Sequence, residues 1–207
     1  MNRDSLRNFY DQKYRSPEKT FPDKPDRVVK SLLQFVRSGH VYDIGAGEGG
    51  NTEFLALNGF KVTAVELSPV GAKKIEDVAQ KMNLPINVEV GDMTSINFPN
   101  DCEIFLSTFV LHYLTRDEGE EFLRRMREAT PVGGINVISA WMNNTGFYGP
   151  DHEGKFSFFR DGELRNMYLE ANWEVLDYSQ SPSQSMLLNS QGQLRSMETA
   201  SIIAKKV

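Results

Sequence analysis

An α/β fold is what this 207-residue chain predicts: a doubly wound, mostly parallel sheet with helices on both faces and a C-terminal antiparallel hairpin. Three observations carry that reading. Segments of strand character alternate with helical periodicity up to residue 140, the mark of crossover units that build a parallel sheet. Residues 103–108 (Glu-Ile-Phe-Leu-Ser-Thr) form a near-continuous apolar run, as a strand covered on both faces requires. Finally, Val41-Tyr42-Asp43-Ile44-Gly45-Ala46-Gly47-Glu48-Gly49-Gly50-Asn51 joins an apolar strand to a helix through a glycine turn, where main chain can approach a ligand closely.

Residues 1–24 interleave Phe9, Tyr10, Tyr14 and Phe21 with Arg, Lys and Asp. They read either as a helix packed on the body or as a lid over the glycine turn. Pro25-Asp26 opens a helix to about residue 37, with Val28, Val29, Leu32, Leu33 and Val36 on one face, and Gly39 ends it. The first strand and glycine turn follow, then a helix from Asn51 that ends near Asn58-Gly59. A second strand spans 61–66 and closes on Glu66. Ser68-Pro69 caps a helix to about residue 82, with Ala72, Ile75, Val78 and Ala79 inward.

A third strand, 86–90, leads into Gly91-Asp92-Met93, and the fourth, 103–108, runs on into Phe109-Val110-Leu111-His112-Tyr113-Leu114. Thr115 caps a charged helix to residue 129, and a turn at 131–134 precedes the fifth strand, 135–140. Residues 141–160 are rich in glycine and aromatics and lack periodicity, which suits a loop on the substrate side of a pocket. A helix is expected over 161–171. Strands at 173–179 and 198–206 then pair antiparallel, and their Ser- and Gln-rich connection, 180–197, reads as mobile. The whole, 1–207, is one domain, since this length buries a sizeable core in a single unit.

Composition excludes several classes. The net charge is −5, from 23 Lys and Arg against 28 Asp and Glu, which opposes binding to a phosphate backbone and so to nucleic acid. No window reaches the roughly 18 apolar residues of a membrane span. The opening Met-Asn-Arg-Asp-Ser-Leu-Arg has no apolar signal-peptide core, and the single cysteine, Cys102, fits a reducing cytoplasm, where it reads as a packing residue. Three scattered histidines offer no metal-ligand cluster.

Gly45, Gly47 and Gly50 satisfy G-x-G-x-x-G, a pattern that serves NAD, FAD and S-adenosylmethionine (SAM) alike. Asp43, two residues before the first glycine, favours a ligand with a cationic ammonium and sulfonium over one carrying a pyrophosphate. Glu66 lies about 20 residues on, the interval at which an acid reaches two ribose hydroxyls. Asp92, at the third strand end, suits an adenine amino group, with Met93 beside the ring. Gly45, Glu66, Asp92, Ser107 and Trp141 all fall at predicted carboxyl ends of strands, so they converge on one cleft.

With this loop, Glu66, Gly91-Asp92 and Ser107-Thr108-Phe109-Val110-Leu111-His112-Tyr113 in hand, the chain resembles the Rossmann-like class I SAM-dependent methyltransferases over nearly its full length. Within them it is most similar to the tellurite-resistance (TehB-type) methyltransferases, through Leu106-Ser107-Thr108-Phe109-Val110-Leu111, Pro131-Val132-Gly133-Gly134-Ile135-Asn136-Val137, Gly162-Glu163-Leu164-Arg165 and Ile202-Ile203-Ala204-Lys205-Lys206. The resemblance implies S-adenosyl-L-methionine as cofactor, held by Asp43, Gly45, Ala46, Gly47, Asn51, Glu66, Leu67, Asp92, Met93, Ser107 and Thr108. Asp43 would lie beneath its amino group, Glu66 would bind the ribose and Asp92 the adenine, and the Ser107-Thr108 main chain would flank the sulfonium. The chain departs from the family at Ala46 and Gly50, where Cys and Arg are common. A family His-Arg pair in the C-terminal hairpin falls on Met186-Leu187, which points away from tellurite itself.

The expected reaction is methyl transfer to a small-molecule acceptor, a chalcogen oxyanion or a soft S, N or O nucleophile, with no metal required. His112 is the candidate acid or base. Tyr14, Tyr113, Trp141 and Phe158 are candidate pocket walls. Two alternatives stay open at this level: a SAM-binding regulator without transferase activity and an NAD-dependent oxidoreductase.

Overall fold

The computed structural model describes residues 2–21, 24–142, 159–169, 172–188 and 194–207, apart from the side chains of 183–188 and 194–197. The elements run α1 (Arg3–Tyr14), α2 (Arg27–Leu32), β1 (His40–Ile44), α3 (Gly50–Leu57), β2 (Lys61–Glu66), α4 (Pro69–Met82), β3 (Ile86–Val90), β4 (Ile104–Thr108), a 3-10 turn (Leu111–Tyr113), α5 (Arg116–Ala129), β5 (Ile135–Trp141), α6 (Glu163–Asn166), β6 (Trp173–Leu188) and β7 (Leu194–Lys206). The strands form one seven-stranded sheet in the order β3-β2-β1-β4-β5-β7-β6. The first five are parallel, and β7 joins β5 and β6 antiparallel. The expected doubly wound sheet and its C-terminal hairpin are both present.

Strand order reverses between β1 and β4, which pair in register Val41↔Ile104 through Asp43↔Leu106. A crevice opens at the carboxyl ends there, because the helices that follow the two strands lie on opposite faces. On one face α2 and α3 bury Val28, Val29, Leu32, Leu55 and Ala56 against Val41, Val62, Leu106 and Val137. On the other, Phe122, Leu123 and Met126 of α5 and Leu164 of α6 pack against Tyr42, Ile44, Phe105 and Ile138. α4 lies along β2 and β3 and carries α1 on its outer side.

Local chemistry explains the well-placed elements. Ser68 accepts from Gly71 N at the start of α4, with Pro69 at the first helical position. Thr115 and Glu118 form a reciprocal capping box on α5. Three expectations need correction. The helix expected to reach residue 37 keeps its α geometry only to Leu32, after which i→i+3 bonds such as Leu33 N to Lys30 O tighten and unwind it. The helix expected over 161–171 is one turn, because the buried Tyr168 hydroxyl is drawn to the sheet by Asn136 Nδ2 at 3.0 Å. The connection expected to be mobile is mostly ladder: Ser181 pairs with Thr199 and Gln184 with Ser196, since main-chain bonds do not need apolar side chains. Pro182 is tolerated because β6 is an edge strand.

Candidate functional site

The glycine turn is held in shape by its own main chain. Gly45 N and Ala46 N both donate to Val65 O, at 2.8 and 3.0 Å, so the turn folds back over the end of β2. Gly45 sits at φ +77°, and a Cβ there would meet Val110 Cγ1 at 2.3 Å. No side chain fits, and the turn presents bare backbone to the cleft. α3 starts directly behind it, with Gly49 as its left-handed cap.

Two buried carboxylates flank this turn. Asp43, 1% exposed, accepts from Thr52 Oγ1 at 2.6 Å, and desolvation lifts its carboxyl to about 6. Glu66, at the tip of the neighbouring strand, accepts from Gly47 N at 2.8 Å and from Ser68 N at 2.9 Å. Those amides favour its charged form, yet burial outweighs them, and the nearby Asp43 adds to the rise, to about 7. Two buried acids, one held by a side-chain hydroxyl and the other by main-chain amides, and both short of a counter-charge, make a site suited to a cation.

Other expected residues divide by what they touch. Asn51 is a brace: its Oδ1 accepts from Asp26 N and its Nδ2 donates to Thr108 Oγ1, at 2.8 and 2.9 Å, which ties α3 to the end of β4. Asp92 caps its own turn through Thr94 N and Thr94 Oγ1, and its other oxygen lies 3.4 Å from Arg3 Nε. Met93 is half-buried against the α5-side core, and Leu67 against α1. Ser107 is fully buried with no hydrogen-bond partner for its hydroxyl, and His112 Nδ1 is likewise buried and unpaired. Orphaned polar atoms of this kind ask for an explanation in a ligand or ordered water.

His112 departs from expectation in one respect. Its imidazole is not near-neutral in pKa, because burial lowers it to about 3. It is therefore uncharged at physiological pH. Its ring contacts that of Tyr113, 3.9 Å between centroids. The Tyr113 hydroxyl meets the Tyr10 hydroxyl. Trp141, at the end of β5, packs on Phe109 with centroids 4.7 Å apart. Phe158 and nearly all of the loop expected at 141–160 lie outside the described residues, as do the side chains of Met186 and Leu187.

The leader packs as a helix, and it does so over the glycine turn. Leu6, Tyr10 and Tyr14 form a buried cluster with Leu67, Val70 and Tyr113 beside it. Asp11 accepts from Ser68 Oγ at 2.5 Å, and Arg3 donates to Tyr113 O at 3.1 Å. Tyr14 lies so close to Gly71 that a Cβ there would meet its ring at 2.9 Å.

Several site residues were missed. Glu48, within the turn itself, accepts from Thr20 N at 2.7 Å and from Lys74 Nζ at 2.6 Å, pinning the chain after α1 to the loop. Phe109 adopts φ +53°, a left-handed conformation costly for an aromatic residue, held by its N–H to Ser139 O at 2.8 Å. That twist swings Val110 over Gly45.

Known proteins resemble this chain in sequence and in fold. Residues 5–203 match the family model described as tellurite resistance protein TehB. A Haemophilus influenzae protein described as a probable S-adenosyl-L-methionine-dependent methyltransferase TehB is 29% identical over 86% of this chain and 61% of its own length. Hemagglutinin 1 of Eikenella corrodens is 30% identical over 86% of this chain and 58% of its own. The chain thus spans about three-fifths of these curated relatives. The crystal structure of TehB from Haemophilus influenzae superposes with a TM-score of 0.78 at 24% identity, covering 97% of this chain and 67% of that one.

Proposed function

This chain belongs to the TehB tellurite-resistance family, and from that premise we propose that it transfers a methyl group from S-adenosylmethionine to a small-molecule acceptor by in-line displacement. The observation that carries the reading is the pair of buried carboxylates, Asp43 and Glu66, on either side of a glycine turn whose Gly45 leaves no room for a side chain. When bound, S-adenosylmethionine supplies a methyl group activated by a sulfonium. The chain's residues fit it: Asp43 offers a counter-charge to an ammonium, and Glu66 keeps lone pairs for ribose hydroxyls beyond those bonded to Gly47 and Ser68. Gly45, Ala46 and Gly47 let main chain approach the methionine part, with Asn51 bracing the helix behind them. Leu67, Asp92 and Met93 receive the adenine, and Ser107 and Thr108 flank the reacting centre.

On the acceptor side, Tyr113, Trp141 and Phe158 wall the pocket, and residues 1–24, with Tyr14 against the turn, cover the cofactor and exclude water. Positioning an acceptor in line accounts for about 7–11 kcal/mol of barrier lowering in such reactions. His112, neutral and with an unpaired Nδ1, accepts a hydrogen bond from a protic acceptor and orients it in line. Burial holds the ring at about 3, so the acceptor's proton passes on to solvent as the bond to carbon forms instead of resting on the imidazole. The acceptor class is a soft S, N or O nucleophile or a chalcogen oxyanion, methylated in the cytoplasm. The acidic surface charge disfavours nucleic acid. Among the described residues no helix is long and apolar enough to cross a membrane.

The test is incubation with methyl-labelled S-adenosylmethionine and a panel of tellurite, selenite, thiols, amines and phenols. Label in a small product, with the demethylated cofactor formed in equal amount, supports the proposal. Cofactor binding without transfer to any member of the panel favours a regulator. Binding of NAD in place of S-adenosylmethionine overturns it.

A further inference from the structure

At the end of the sheet opposite the glycine turn, three side chains of different donor type come together. The ligating atoms of His40, Asp101 and Cys102 all lie within 4.8 Å of one another. We propose that these three residues bind a borderline divalent transition metal, zinc being the best match, at a site about 15 Å along β1 from the cofactor turn. One thiolate, one imidazole and one carboxylate are a zinc donor set, with a fourth position left to water.

The arrangement is built on rigid parts. His40 opens β1, and Cys102 stands two residues before β4, the strand paired with it. Two bonds lock these entries together: His40 N to Glu103 Oε2 at 2.7 Å and Glu103 N to His40 O at 3.2 Å. The imidazole is oriented at its far side, with Nε2 2.9 Å from Thr63 Oγ1. Without an ion, Nδ1 stands 3.3 Å from the Asp101 carbonyl oxygen and 3.5 Å from its Oδ2 and donates there. An ion takes that place in the other tautomer, in which Nε2 donates to Thr63 Oγ1 and Nδ1 is free to ligate. That is the usual support of a metal-bound histidine, one nitrogen on the ion and the other hydrogen-bonded.

Donor atoms around zinc stand roughly 3.3–3.6 Å apart, given metal–ligand lengths of about 2.0–2.3 Å. Closing from 4.8 Å asks for about 1 Å of movement, and since His40 Nδ1 and Asp101 Oδ2 already stand 3.5 Å apart, it is their approach to Cys102 Sγ that shortens. Burial first, then the negative charges of Asp101, Glu103 and Glu89 set against Lys61, push the Cys102 thiol up and keep it protonated without an ion, while the same carboxylates attract a cation. On binding, the Cys102 thiol gives its proton to solvent and the thiolate joins the metal, with no change of oxidation state. The ion would clamp β1 to β4 at the point where strand order reverses.

Cys102 is the only cysteine of the chain, so a thiolate-to-metal absorption band reports this site alone. The full chain is titrated with Cd2+ and Co2+, each band is followed, and Zn2+ is then used to displace the probe. The expected result is one equivalent bound with a thiolate band, reversed by Zn2+ and absent in Cys102→Ser. His40→Gln and Asp101→Asn lie at or near the surface and each weaken Cd2+ by at least about tenfold. Absence of the band, or a band whose titration is unchanged by either His40→Gln or Asp101→Asn, overturns the site. Neither outcome bears on methyl transfer.

Discussion

Asp43 and Glu66 set the pH behaviour of the molecule. Both are raised above their unfolded values, from 3.8 to about 6 and from 4.5 to about 7, so the ligand-free fold holds more protons than the unfolded chain. The stability they lend is complete below about pH 4 and is lost as pH rises through about 6 to 7. Urea unfolding across this range is expected to show that fall, and Asp43→Asn to flatten it while weakening cofactor binding by at least about tenfold. Gly45→Ala forces an alanine into φ +77° with its Cβ on Val110, and is expected to cost at least about 2 kcal/mol in the same assay. His112→Gln is expected to lower turnover at least about tenfold with cofactor affinity little changed. With an imidazole at about 3, the wild-type rate should show no histidine inflection near neutrality. Turnover equal to wild type would remove His112 from the reaction. At this scale the acids were legible because a charge stands where a buried strand end is normally apolar. Phe109 and Glu48 were not: a left-handed φ on phenylalanine leaves no mark in sequence, and Glu48 finds its partners 26 to 28 residues away.

Among the elements, α1 has the clearest functional consequence. Its buried edge, Leu6, Tyr10 and Tyr14, covers the glycine turn, and Arg3 reaches both Asp92 and the Tyr113 carbonyl. Tyr14→Ala removes a ring packed on Gly71 and should destabilise the docked helix by about 3 kcal/mol or more. Hydrogen exchange is expected to quicken across 3–14 while β1 and β4 stay protected, and cofactor dissociation to speed up. Unchanged exchange in the helix would contradict the docking account. Helices with strong caps were legible to within a residue or two, as α4 and α5 show through Ser68-Pro69 and Thr115 with Glu118. Elements decided by distant partners were not. α6 is cut short by Tyr168 meeting Asn136, and β6 and β7 extend through Ser and Gln because a ladder across the hairpin satisfies their backbone.

For the molecule as a whole, the parallel sheet was legible from alternation and from the apolar run of β4. The insertion of β7 between β5 and β6 was not, since no local pattern records which edge a returning strand takes. The reversal of strand order between β1 and β4 is what gathers Gly45, Glu66, Ser107 and Thr108 around one crevice. The central claim is that two buried acids, short of a counter-charge, form the cradle for a cationic sulfonium cofactor. Calorimetric titration of S-adenosylmethionine into the full chain tests it most directly, run near pH 6.5 in two buffers that differ in ionisation heat. The account predicts one site, with protons released on binding as Asp43 and Glu66 ionise against the ligand, and loss of that release in the Asp43→Asn, Glu66→Gln double variant. Absence of binding, or binding of equal strength in the double variant with no proton released by either protein, would contradict it.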